Sequence, residues 1–348
     1  MPWSLTIVQG GTIFVTGAVC AWLAGRLARR PPPLATPLAL SSCRTHRIWS
    51  QAGLPYKLIV SLPINYDLSQ GVSYPVLIAL DAEPYLFPLL AVCARTNHFF
   101  AKSYYFPDTI IVGVVADLEA ESRSPDGRLD VAKAWTDQRP TRARDYLPTA
   151  AESPWGAPGS GSLLHVSGHA DVFCDFLVDT LIPFVDATYA SRGGGARALI
   201  GKSFGGSGVA AALIHPRAAS AFSEFILGSP SLAWDGEAWF RIEEERRVAT
   251  AAGVGDGDGG SGGDGSGDGG GAGSGSPPYE AGVFVCIGAE RDVDEALVRR
   301  FQRTLDARSG PRGEVSVEVI PGETHGSVSY PFVHHALDWL KPRWEKTE

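Results

Sequence analysis

The stretch Ala198–Leu213, ALIGKSFGGSGVAAAL, decides how the chain is read. Ala198-Leu199-Ile200 is a short apolar strand that stops at Gly201, and Ser203 follows two residues later. Gly206 to His215 is then a run of small and apolar residues suited to a closely packed helix. Strand, sharp turn and helix together lift a serine hydroxyl clear of a sheet and aim the free N–H groups of a helix N-terminus beside it. Spelling alone does not select Ser203, because G-x-S-x-G occurs at Gly201–Gly205 and again at Gly259–Gly263. Ser261, in the second copy, has no strand before it and no helix after it. A phosphate-binding Walker loop is also disfavoured, since the upstream glycine it needs is Ala196 here.

On either side of it, Tyr56–Leu62, Pro75–Leu80, Thr109–Val115, Glu224–Leu227, Gly282–Ile287 and Val315–Ile320 read as further strands. Helical length or spacing marks Leu86–Asn97, Asp171–Tyr189, Asp294–Ala307 and Phe332–Trp344, with Pro183 expected to kink or end the first part of its helix. Short apolar strands alternating with helices predict an α/β fold: a mostly parallel central sheet with helices on both faces. Residues 118–170 are polar, without a clear period, and read as a long excursion above the sheet where substrate contacts are made.

The 348 residues are 44% hydrophobic and 20% charged, which fits a globular protein with a substantial core. A net charge of -8, with no block of lysine or arginine, argues against a nucleic-acid partner. The five cysteines form no C-x-x-C pair, so neither a zinc site nor a dense disulfide framework is expected; Cys174 and Cys286 read as buried thiols. Residues 1–41 form a separate leader. Residues 5–24 are mostly apolar, and Arg26, Arg29, Arg30 and three prolines follow. This reads as a membrane anchor, as an organellar or secretory leader, or as a plain tail, and leaves localisation open. The folded domain is expected over 42–348, interrupted by a flexible Gly/Asp/Ser-rich insertion at 253–278. That insertion lacks the periodic apolar residue of a calcium-binding repeat and the closing glutamate of an EF-hand loop.

A serine nucleophile needs a base, and His325 is best placed, in PGETHGS after the last strand and before the last helix. His334 and His335 fall within that helix and read as packing or solvent-facing residues. The orienting acid belongs on the loop after strand Gly282–Ile287, in GAERDVDE. Glu290 is the first choice and Asp292 the second, with Asp294 a further rival; the same acids also suit the start of the next helix.

With these residues in place the chain resembles the Putative esterase family of α/β-hydrolases, which includes enterochelin (siderophore) esterases, esterase D, feruloyl esterases and mycolyltransferases. The resemblance runs from about Tyr56 to Leu340, through YKLIVSLPINYD, YPVLIALDAEPYLF, IIVGVVAD, RARDYLP, LIGKSFGGSG, LGSPSLAWD, VCIGAERD and PGETHGSVSY. It implies an oxyanion hole from the N–H of Phe204 and one from the loop after Pro75–Leu80. There Asp81-Ala82 replaces the family's Asp-Gly, and Ala82 or Glu83 supplies the donor. It also implies Arg142 or Arg144 near the substrate, against a structural ion pair with Asp145. The expected activity is carboxylic-ester hydrolysis through an acyl-enzyme on a small-molecule ester, siderophore-esterase-like, with neither metal nor organic cofactor. The alternatives are acyl transfer on the same triad and a non-catalytic binding protein on the same fold.

Overall fold

Eight strands form one sheet: β1 (Cys43–Trp49), β2 (Pro55–Ser61), β3 (Val76–Leu80), β4 (Ile110–Ala116), β5 (Arg197–Lys202), β6 (Glu224–Gly228), β7 (Gly282–Gly288) and β8 (Glu314–Ile320). Their order is β1-β2-β4-β3-β5-β6-β7-β8. β2 runs antiparallel to β1 and to β4, and every pair from β4 to β8 is parallel. This computed structural model describes residues 42–64, 66–68, 71–82, 86–96, 106–118, 131–154, 162–251, 279–290, 294–311 and 313–345. By its contacts the chain divides into Met1–Ser41 and Ser42–Glu348. The leader, its apolar stretch 5–24 and the 253–278 insertion lie outside the described residues. Among those described, no helix is long and apolar enough to cross a membrane.

Period-two alternation sorts the core into two layers. Ile78, Leu80, Leu199, Phe225 and Val285 face one side, and Leu77, Ala79, Ile200, Ile226 and Phe284 face the other. The first side is covered by α2 (Val131–Tyr146), α3 (Ala170–Phe176), α4 (Ile182–Thr188), α5 (Phe204–Ile214), α6 (Ala238–Ala251) and α7 (Glu295–Asp306). The second is covered by α1 (Phe87–Thr96) and α8 (Ser329–Glu345). Both faces being buried explains why β3 to β7 read as continuous apolar runs. Cys174 and Cys286 are buried.

Three local differences from the sequence reading have physical causes. The excursion contains a helix, α2, whose sequence VAKAWTDQRPTRARDY is polar and carries Pro140 inside it. Ala143 and Tyr146, at its C-terminal end, are buried. Pro183 does not kink a regular helix: a π-helical turn at Leu177–Leu181 precedes it and joins α3 to α4. That wider turn accommodates a residue with no N–H to donate. The edge strand β1 alternates too weakly to be recognised, with burial concentrated at Ile48.

Candidate active site

β5 delivers Ser203 to a turn that only its glycine flanks permit. Ser203 has φ 58° and ψ -120°, a strained conformation for a residue with a Cβ. A Cβ on Gly201 would lie 2.4 Å from the Gly205 carbonyl oxygen, and one on Gly205 would lie 2.7 Å from Asp81 Oδ2. The elbow is held by its own backbone: Ser203 N–H donates to the Gly228 oxygen at 2.8 Å, and Ser207 N–H donates to the Ser203 oxygen at 3.0 Å. α5 follows, with all of its residues buried. Gly206 brings it close to the Gly228 oxygen and Pro230, and Gly208 does the same against Tyr146.

His325 Nε2 lies 3.1 Å from Ser203 Oγ, so the two residues singled out 122 positions apart are in hydrogen-bonding contact. The His325 segment is a compact turn. Ser327 Oγ accepts from Thr324 N–H at 2.9 Å, Val328 N–H donates to the Thr324 oxygen at 3.0 Å, and Val328 is fully buried. Glu290 N–H donates to the Glu323 oxygen at 2.8 Å, tying the loop after β7 to the loop that carries the histidine. Gly288 makes this approach possible, since a Cβ there would meet the Glu323 oxygen at 2.3 Å. The Glu290 side chain is exposed and makes no hydrogen bond or ion pair to His325. Asp292 lies outside the described residues. Asp294 caps α7, accepting from Ala296 N–H at 2.8 Å.

The end of β3 forms the opposite wall. Asp81 has φ 55°, is buried, and accepts two hydrogen bonds of 2.7 Å from Arg142 Nε and Nη2. Asp81 N–H donates to the Tyr146 hydroxyl oxygen at 3.3 Å. Burial, and then the Asp81 carboxylate, push the Tyr146 hydroxyl well above its ordinary pKa, so it stays protonated. Ala82 is fully buried, and its methyl sits over Gly113 of β4, where a Cβ would lie 2.6 Å away. Glu83 lies outside the described residues. Phe204, the first residue of α5, packs edge-on to Trp234, and Arg142 lies 5.3 Å from its ring centre.

The two arginines divide their roles. Arg142 lines the cleft beside Ser203, whereas Arg144 donates to Asp145 at 2.7 and 3.0 Å and reaches the Tyr56 hydroxyl at 3.4 Å. Burial pushes the Asp145 carboxyl up, and the Arg144 guanidinium opposes that shift. The cleft has a volume of about 670 Å³. Pro88, Leu89 and Val92 of α1 and Tyr330 of α8 give it apolar walls, and Arg142 and Lys202 flank the Ser203–His325 pair. Lys202 was not singled out by sequence reasoning. It is buried, and its Nζ donates to the His325 carbonyl oxygen at 2.5 Å. Among the described residues, no three His, Cys, Asp or Glu side chains are grouped to hold a metal ion.

Residues 151–259 match the sequence model of the family described as Putative esterase. No curated protein sequence matches the chain. Solved structures share the fold. The BES protein from Bacillus cereus is 18% identical with a TM-score of 0.63, over 88% of this chain and 98% of its own. An IroE-like serine hydrolase from Shewanella oneidensis is 21% identical with a TM-score of 0.60, over 86% and 80%. The siderophore hydrolase EstA from Aspergillus nidulans is 17% identical with a TM-score of 0.58, over 98% and 99%. Sheet, elbow and family match define a carboxylic ester hydrolase on the α/β-hydrolase fold. Over residues 151–259 the chain is similar to the Putative esterase family.

Proposed function

We propose that the chain hydrolyses carboxylic esters through a covalent acyl-enzyme on Ser203. The observation that carries this reading is the 3.1 Å contact between His325 Nε2 and a Ser203 Oγ held on a strained turn. His325 takes the Ser203 proton as Oγ attacks the ester carbonyl, and then returns it to the leaving alcohol. The negative charge on the carbonyl oxygen is met by the N–H groups of Phe204 and Ala82, the first at a helix N-terminus. Water, activated by His325, releases the acid and regenerates Ser203.

The orienting acid comes from the loop after β7. Glu290 is first in sequence order, but its exposed carboxylate makes no hydrogen bond or ion pair to His325 among the described residues, and Asp292 is the second choice we favour. Arg142 is the substrate-facing arginine, and Arg144 supports the fold through Asp145. The apolar walls suit an ester of sizeable uncharged surface, and the fold shared with a siderophore hydrolase makes siderophore lactones the first class to test.

A fluorophosphonate probe with an ester panel of siderophore lactones, feruloyl esters and short acyl esters tests this. Wild type labels at Ser203 and turns over at least one ester class; Ser203→Ala does not label and loses on the order of 10⁴-fold or more in kcat. A folded wild type that neither labels nor hydrolyses any ester sinks the reading. Adding an alcohol acceptor separates hydrolysis from acyl transfer, because a transferase makes the new ester in preference to the free acid.

A further inference from the structure

We infer that Lys202 is a positioning residue for the base, holding the His325 main chain at the distance from Ser203 that proton transfer requires. This inference rests on the serine hydrolase reading. Lys202 and Ser203 are consecutive, and together they grip His325 at two points. Lys202 Nζ holds its carbonyl oxygen at 2.5 Å, and Ser203 Oγ meets its imidazole at 3.1 Å.

The anchor is rigid. Lys202 is buried in β5, in register with Gly228 of β6, and the Ser203 N–H is bonded to the oxygen of that same Gly228. The segment it holds has little burial of its own. Pro321, Gly322, Thr324, Gly326 and Ser327 are all exposed, and Gly322 sits at φ 76°. A loop with so few buried contacts owes its position to hydrogen bonds rather than to packing. A buried ammonium is costly unless hydrogen-bonded, so the charge-assisted bond to the His325 carbonyl is strong and directional. Releasing that carbonyl frees the ring to drift, and a displacement near 1 Å at a reacting group costs on the order of 10²-fold in rate.

Lys202→Met keeps the length and apolar stem of the side chain and removes the donor; Lys202→Arg keeps a donor. For each variant, the rate of fluorophosphonate labelling, kcat and KM on a neutral p-nitrophenyl ester, and the melting temperature are measured beside wild type and Ser203→Ala. In Lys202→Met, kcat and labelling rate fall together, on the order of 10²-fold, while KM stays within about threefold. Lys202→Arg recovers part of the loss. Labelling and kcat within about twofold of wild type would overturn the inference. A loss confined to KM would also overturn it, making Lys202 a substrate contact. If Lys202→Met does not fold, Lys202→Gln and Lys202→Arg carry the same comparison, with Gln expected below Arg in kcat and equal activities overturning the inference. A wild type that does not label, or labels as Ser203→Ala does, overturns the serine reading and this inference with it.

Discussion

The Asp81 carboxylate is joined to the Arg142 guanidinium by two hydrogen bonds of 2.7 Å, and the same carboxylate lies 2.7 Å from where a Cβ on Gly205 would fall. One ion pair therefore braces the end of β3, the cleft-lining end of α2 and the turn that carries Ser203. Removing Arg142 leaves a buried carboxylate unpaired. Arg142→Met is expected to destabilise by about 3 kcal/mol or more. Asp81→Asn with Arg142→Met should be less destabilised than Arg142→Met alone, because no buried charge is then stranded. Denaturant midpoints of the single and double variants measure both quantities.

Ala82 replaces a glycine that the resembled family carries, and Gly113 makes the room for it. Gly113→Ala is expected to push against Ala82 and Phe87, which a Cβ would approach to 2.6 and 2.7 Å. The displaced Ala82 N–H should then serve the oxyanion poorly, lowering kcat on the order of tenfold or more. Adding Ala82→Gly to Gly113→Ala should restore part of that kcat. If the double variant is as slow as the single one, the steric coupling is wrong.

The acid of the triad is decided by a pair of substitutions on the loop after β7. Asp292→Asn is expected to cost far more kcat than Glu290→Gln, on the order of 10³- to 10⁴-fold against a few-fold. A larger loss from Glu290→Gln would return the role to Glu290.

Glu224, at the start of β6, predicts a dependence of stability on pH. Burial pushes its carboxyl above the ordinary value, against the hydrogen bonds from Ser223 Oγ and from Trp344 Nε1 at 3.0 Å. With the folded pKa raised, the folded state binds its proton more tightly than the unfolded state. That stability is fully present below the ordinary carboxylate value and is lost as pH rises through the folded value. Glu224→Gln keeps an acceptor for Trp344 without the charge. It is expected to melt higher than wild type near neutral pH, with the gap narrowing as pH falls towards 4.5. Melting curves from pH 4.5 to 8 test this; a gap that does not change with pH would refute it.

The sheet was legible because β3 to β7 are covered on both faces, so each strand is an apolar run with turn residues at its ends. Ser203 and His325 were legible because each sits where a strand ends and a helix begins. Lys202 was not, since its partner is a backbone carbonyl 123 positions away and carries no side-chain signature. Nor was Arg142 distinguishable from Arg144. Which of the two meets Asp81 and which meets Asp145 depends on the rotation of α2, a helix too polar for its face to be read from composition.

Parallel strands give the molecule two unlike ends. Asp81 and Ala82, Ser203, Glu290 and His325 all follow the C-terminal ends of their strands, where ligands of open α/β sheets bind. Tyr279, the first described residue after the glycine-rich stretch, leads instead into the N-terminal end of β7. Chain entering the sheet at Tyr279 is thereby placed at the end opposite the reacting atoms, a full strand length from Glu290.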